Sequence, residues 1–376
     1  MSRGLDAPVN AVGRFAHIDA LRAFAVLIVV LQHTVYRGVP GDAGVTVFFG
    51  ISGFIITWLM LRERAGTGGF RVGAFYTRRV FKLAPPFLAL ILLPTLVYGI
   101  FQPIDTPAVL SQVFFAYNWV LIFDPVAASH VLPGTIVVWS LAVEEQFYIA
   151  FALVWLLVAR SRAWLAWAVG LPVAMIVVAN VVRVVHAGDR NPSRAIWGTD
   201  ARMDAIAIGV LAAVALYVWQ RGGIPWLARL GHPATLAVAV GLFAASLAIP
   251  EGQWRIIVSP TLQVVAAVLV ILYGLLPRSG RVAGWFDRGA AVRSVQLIGL
   301  ASYSIYLVHD PLGMLIGDPL EVILPKAVAN VLTGVAGVLV GIASYRLIEV
   351  PALRLRRRVE GARARRAEPA VEAARS

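Results

Sequence analysis

Residues 17–34 read HIDALRAFAVLIVVLQHT, and every side chain from Ala23 to Leu31 is apolar. With its flanks the run covers 15–36, close to the ~20 residues that a helix needs to cross a bilayer. Because Arg22 and His33 interrupt it, and because it is long for a cleaved signal sequence, it reads as a retained first membrane span. The rest of the chain follows the same rule. Of 376 residues 59% are hydrophobic and 14% are charged, whereas soluble domains carry about 25% charged residues. The predicted class is an all-α integral membrane protein, one polytopic bundle that buries its surface in lipid and in helix contacts.

Apolar runs place spans near 15–36, 44–61, 83–101, 137–159, 163–183, 203–219, 233–249, 256–276, 296–316 and 324–348. The stretch 108–123 is too short to span comfortably and reads as interfacial or re-entrant, so the count is ten, with eleven as the alternative. The domain plan is a cytoplasmic tail over 1–14, one transmembrane domain over 15–348 and a basic cytoplasmic tail over 349–376, which prolongs the last helix briefly and then lies on anionic headgroups. No internal repeat is visible, which disfavours transporter folds built from duplicated halves.

The formal net charge of +13 would suggest nucleic acid on a soluble protein. Here it reports topology. With the N-terminus in the cytoplasm, 24 Lys and Arg fall on inner segments and seven on outer ones, and 102–136 holds none. That bias predicts both termini on the cytoplasmic side of a cell membrane, as an even span count requires. The partner is then the lipid bilayer and not nucleic acid.

Ionisable residues inside a span are costly, so each is a functional candidate. In the first span, Arg22 and His33 lie eleven residues apart, which returns to within about 20° of the same helix face at a rise of roughly 16 Å. Asp19 can pair with Arg22 at i, i+3. The segment 75–86, FYTRRVFKLAPP, clusters Arg78, Arg79 and Lys82 at a helix start. Positive-inside anchoring is the plainer explanation, and an incoming phosphate the functional one. The segment 139–148, WSLAVEEQFY, sets Glu144 and Glu145 with Tyr148 into a span; adjacent carboxylates diverge on a helix, so only one is expected to face a given site. In 301–311, ASYSIYLVHDP, one face carries Ser302, Tyr306 and His309, with a kink expected at Pro311. Arg202 and Asp204, in 199–209, TDARMDAIAIG, read as a further charged pair at i, i+2. Any of these can simply tie helices together. Ser52, in the glycine-flanked run FFGISGF, reads as a close-packing position.

The chain has no cysteine, which excludes disulfides, thiolate metal ligands and a cysteine acyl-enzyme. No histidines and carboxylates stand at metal-ligand spacing, and no GxSxG elbow or glycine-rich phosphate loop is present. No permanently bound cofactor is expected.

In order along the chain stand IDALRAFAVLIVVLQH (18–33), GVTVFFGISGFIIT (44–57), FYTRRVFKLAPP, WSLAVEEQFY, TDARMDAIAIG, ASYSIYLVHDP and SYRLIEVP (344–351). Together, over about Ile18 to Arg358, they resemble the membrane acyltransferase-3 family, bacterial O-acyltransferases of polysaccharides, lipid-linked sugars and some antibiotics. The family's arginine–ten residues–histidine pair falls on Arg22 and His33, its SLxxExxFY on Ser140, Glu144, Phe147 and Tyr148, and its basic RxxR pair on Arg79 and Lys82. Lys82 departs from the usual arginine, keeping the charge without the bidentate fork, and Ala84 replaces a frequent aromatic. Larger relatives carry a C-terminal hydrolase-like domain, so this chain is expected to be a stand-alone member.

The resemblance implies transfer of an acetyl or short acyl group from acetyl-CoA to a hydroxyl of a cell-envelope saccharide or glycolipid. Arg78, Arg79, Lys82 and Arg22 would hold the CoA phosphates, and His33 would act as general base. Glu144 would orient the imidazole, as the acid does in a serine triad. Glu145, Tyr148, Arg202, Asp204, Tyr306 and His309 would serve the acceptor or the oxyanion. Direct transfer and an acyl-histidine intermediate both stay open. Rival readings are acylation of a small metabolite such as a macrolide, a transporter or flippase, and a non-enzymatic assembly or sensor protein. The topology is checked by fusions: a reporter that matures only in the cytoplasm is expected to be active after Ser376 and inactive when inserted within 102–136.

Overall fold

The computed structural model describes residues 15–35, 40–67 and 69–360. The predicted tail over 1–14, Arg37, and the end of the chain beyond Glu360 lie outside the described residues. Lipid offers no hydrogen-bond partner to a backbone amide, so an apolar chain satisfies its amides within helices. The observed elements are α1 (Ala16–Thr34), α2 (Gly41–Thr67), α3 (Val72–Phe101), α4 (Thr135–Val158), α5 (Trp164–His186), α6 (Ser193–Gln220), α7 (Ala234–Ala248), α8 (Gln253–Leu275), α9 (Arg293–Ile323) and α10 (Lys326–Glu360).

Eight of these are long and apolar enough to cross a membrane alone. The number reaches ten when α7 is joined to Pro225–Gly231, at 76°, and α9 to Gly280–Ala290, at 58°. The chain is an all-α, multi-pass membrane protein, and its helices follow the predicted apolar runs. Short helices at Thr106–Val113 and Tyr117–Phe123 fill the stretch that is too short to span. Helix α9 runs on through Pro311 and Pro319. The last helix extends through the predicted tail boundary at 349 to Glu360.

Helix α1 packs between α2 and α9, α2 also meets α6 and α8, and α10 lies along α9. Small residues make these approaches possible, because a missing side chain lets two backbones meet. A Cβ on Gly53 of α2 would collide with the Ile206 carbonyl of α6, and one on Gly209 of α6 with the Gly50 carbonyl of α2. On α10, a Cβ on Gly341 would strike Ile305, and one on Gly337 would stand 3.3 Å from the Cα and Cβ of His309.

Among the described residues, two helices contain a π turn. Leu88–Leu92 in α3 and Tyr345–Glu349 in α10 are π-helical turns, a distortion that recurs at functional sites. The π turn of α10 packs against α3 and α9.

A fully buried ion pair clasps α5 to α6. Arg183 of α5 and Asp204 of α6 are both 0% exposed, with 2.6 Å between Nη2 and Oδ2. The guanidinium also donates to the Ala201 carbonyl at 2.9 Å, to Asn180 at 3.1 Å and to Thr261 of α8 at 3.2 Å. Arg202 does not pair with Asp204 as the i, i+2 reading expected. Two residues apart on a helix point to different sides, and Arg202 donates instead to Thr46 Oγ1 of α2 at 2.7 Å. Arg183→Leu strands the Asp204 charge and is expected to cost about 3–5 kcal/mol. The loss should read out as a lower melting temperature in detergent, with part of it recovered in the Arg183→Leu, Asp204→Leu double variant.

Candidate active site

Five helices converge on an internal cavity of about 150 Å³. Arg22 reaches it from α1, Phe49 and Ser52 from α2, and Arg79 and Lys82 from α3. Ser140 and Glu144 line it from α4, and Ser302, Tyr303 and Tyr306 from α9. Residues widely separated in sequence meet here because each occupies the buried face of an amphipathic stretch of its own span.

Two of the cavity's cations, Arg79 and Lys82, are held by carboxylates. Arg79 donates through Nε to Glu145 Oε1 at 3.0 Å and through Nη2 to the same oxygen, and its guanidinium lies 3.8 Å above the Tyr148 ring. Such a fork on a planar face restricts the side chain far more than a lone ion pair does. Lys82 pairs with Glu349, which is 0% exposed, sits on the π turn of α10 and also accepts from Ser304 at 3.1 Å. Arg78 is not among the lining residues; it is 35% exposed and 3.8 Å from Glu63. Glu63 in turn accepts from the Arg71 backbone at 2.9 Å.

The two adjacent carboxylates of α4 do diverge. Glu145 turns to Arg79, while Glu144 faces the cavity and accepts from Ser52 and, at 3.5 Å, from Tyr148. Ser52 is therefore more than a packing position, and no hydrogen bond joins Glu144 to His33. Glu144 does not hydrogen-bond to the imidazole as expected, because its partners lie at the cavity wall and His33 lies in the last turn of α1. At the other end of the cavity the Tyr306 hydroxyl donates to the Val137 carbonyl at 3.0 Å and lies 2.7 Å from Ser140 Oγ.

His33 does not line the cavity. It is exposed in the last turn of α1, where Nδ1 lies 2.9 Å from the Val29 carbonyl. A carbonyl only accepts, so Nδ1 carries the proton and Nε2 keeps a lone pair, as a base requires. His309, 0% exposed, has the same tautomer: Nδ1 meets the Tyr306 carbonyl at 2.8 Å. The two rings lie 5.1 Å apart, edge to face. Of the predicted residues, Arg22, Arg79, Lys82, Glu144 and Tyr306 meet in the cavity. Tyr148 and Glu145 hold Arg79, and His33 and His309 form a second group beyond Tyr306. Arg202 is buried beside Phe49 and Trp139, 6.0 and 5.8 Å from their rings, and Asp204 belongs to the Arg183 clasp.

Reading by motif missed the roles of Ser52, Glu349 and Arg183. Glu349 fell one residue past the predicted last span, at the start of the basic tail, where a carboxylate carries no signal. Ser52 carried none either, since a serine between glycines is an ordinary packing residue.

Comparison with known proteins bears on the same residues. The chain is 29% identical to the peptidoglycan O-acetyltransferase OatA of Listeria monocytogenes over 351 residues, 89% of this chain and 55% of that protein. It is 28% identical to the putative peptidoglycan O-acetyltransferase YrhL of Bacillus subtilis over 89% of this chain and 54% of that one. With the O-acetyltransferase OatA of Staphylococcus aureus it shares 26% identity over 78% of this chain and 50% of the relative. The chain thus spans about half the length of the curated relatives it matches. No solved structure matches it. Residues 15–346, which contain both the cavity and the histidine pair, match the family described as acyltransferase domain, and the chain belongs to that acyltransferase-3 family.

Proposed function

We propose that the protein is a membrane-bound O-acyltransferase that moves an acetyl or other short acyl group from acyl-CoA to a hydroxyl of a cell-envelope saccharide, with peptidoglycan as the acceptor. The acceptor follows from the relatives, whose names record peptidoglycan O-acetylation. The observation that supports the chemistry is the pairing of a cavity lined by charged and hydroxyl side chains with His33, whose Nε2 is available in the last turn of α1. A donor entering from the inner side and an acceptor approaching from the outer side can then meet without either crossing the membrane.

In this reading the CoA phosphates rest on Arg78, the most exposed of the cations, with Arg22, Arg79 and Lys82 along the path inward. Guanidinium groups suit phosphate geometry. Arg79 and Lys82 already carry carboxylate partners, so the deep part of the cavity suits the neutral amides of the pantetheine arm better than a second dianion. Ser140 and Tyr306 present hydroxyls to the thioester. His33 Nε2 removes the acceptor's hydroxyl proton as that oxygen attacks the acyl carbon. Glu144 and Ser52 keep the wall polar and fixed.

The test is transfer of radiolabelled acetyl from acetyl-CoA into isolated peptidoglycan by membranes that contain the full chain. His33→Ala should lower the rate about 100-fold or more, the usual range for a lost general base, at an unchanged apparent KM for acetyl-CoA. Equal labelling in both would remove His33 from the chemistry, and no labelling by the wild type with any glycan fraction would overturn the reading. Arg79→Lys keeps the charge and loses both the fork on Glu145 and the stack on Tyr148. It should raise the apparent KM for acetyl-CoA roughly tenfold, about 1.4 kcal/mol, which a donor titration measures.

A further inference from the structure

One end of the cavity is polar and the other is largely apolar, and α2 lays out the change. Val45, Phe48, Phe49 and Ser52 stand at i, i+3, i+4 and i+7, a single helical face, and all four line the cavity. Ser52 donates to Glu144, which also accepts from Tyr148, the ring beneath Arg79. One turn away the Phe48 ring lies 6.2 Å from that of Tyr306, edge to face. Val45 follows at about 10 Å from Ser52 along the axis. Helix α4 repeats the pattern: Glu144 meets Ser52, while one turn earlier Ser140 lies 2.7 Å from the Tyr306 hydroxyl, and its neighbour Leu141 lines the cavity.

The apolar wall cannot retreat, because the backbone of α2 is in direct contact with its neighbours. A Cβ on Gly44 would strike the Ala25 carbonyl of α1, and one on Gly53 the Ile206 carbonyl of α6. Phe49 is fixed as well, edge-on to Trp139 at 6.1 Å, with the Arg202 guanidinium 6.0 Å from its ring. In a close-packed interior, a side chain too large for its space forces strain on everything around it.

We infer that Phe48, with Val45 and Leu141, is the specificity determinant that limits the donor to a short, uncharged acyl group. The inference rests on the proposed acyl transfer and names the residues that set its donor class. With the thioester at the Ser140 and Tyr306 hydroxyls, the acyl group beyond the carbonyl carbon runs against the Phe48 ring. An acetyl methyl fits there. A chain of four carbons meets the ring, and a succinyl group would bury its carboxylate against phenyl and isobutyl groups with no partner. Helices α2 and α4 supply this wall, whereas His33 stands on α1, so the acyl group and the incoming hydroxyl occupy different sides.

The chain has no cysteine, so a thiol reagent added to the purified full-length protein in lipid nanodiscs reads released CoA alone. With peptidoglycan as acceptor, kcat/KM is compared for acetyl-, butyryl- and succinyl-CoA. In the wild type butyryl-CoA should fall at least about tenfold below acetyl-CoA, within the range that methylene groups contribute to discrimination, and succinyl-CoA should give no acceptor-dependent thiol. Phe48→Ala should raise the butyryl-to-acetyl ratio about tenfold without admitting succinyl. Leu141→Ala opens the same end from α4 and should move the ratio in the same direction, which covers the case in which Phe48→Ala does not accumulate. A variant that is merely destabilised loses both activities together and leaves the ratio where it was. A wild type that uses butyryl-CoA as well as acetyl-CoA, or a ratio within twofold of wild type in either variant, would overturn the inference while the acyltransferase reading stands. A wild type that releases no thiol from any donor refutes that reading, and the donor limit falls with it.

Discussion

A charge placed in the interior of a bilayer protein loses its hydration, and only a close opposite charge with further hydrogen bonds compensates for it. That constraint organises the bundle. Arg79 finds Glu145, Lys82 finds Glu349 and Arg183 finds Asp204. Each pair joins two helices: α3 to its successor α4, α5 to its successor α6, and α3 to the distant α10. Apolar packing in lipid offers little to distinguish one helix partner from another, so these pairs help to specify which helices are neighbours, and at what depth.

The same pairs define the site. Arg79 and Lys82 are held at the cavity wall by carboxylates that do not line the cavity themselves, so both side chains are fixed in place. Pre-placed charge requires little reorganisation when an anion or a developing oxyanion meets it. Tyr148 adds a ring face that keeps the Arg79 guanidinium flat. A polar interior of this kind is expensive in a membrane, which is why polar residues there concentrate where they are used.

Much of this was legible in the linear sequence. Runs of apolar residues of bilayer length located the spans, since length and hydropathy are the whole requirement for crossing. Intramembrane ionisable residues marked Arg22, Arg79, Lys82 and Glu144, all of which meet in one cavity. What could not be read was which charge answers which. Glu144 was expected to serve His33 and instead meets Ser52. Arg202 was expected beside Asp204 and instead reaches Thr46. Pairing between helices depends on their rotation and relative depth, and glycine contacts such as Gly53 against Ile206 set those from a distance. A hydropathy run contains no rotation angle.

The π turn at Tyr345–Glu349 has a consequence for how this chain should be compared with its kin. A π turn amounts to one residue inserted into an α-helix, and removing it would rotate everything on one side by about 100° relative to the other. Glu349 would then swing off the face that meets Lys82 and Ser304, although no charged residue had changed. A single-residue gap at this point in an alignment is therefore not neutral length variation. It separates sequences that can build the buried lysine–glutamate contact from those that carry the same letters and cannot.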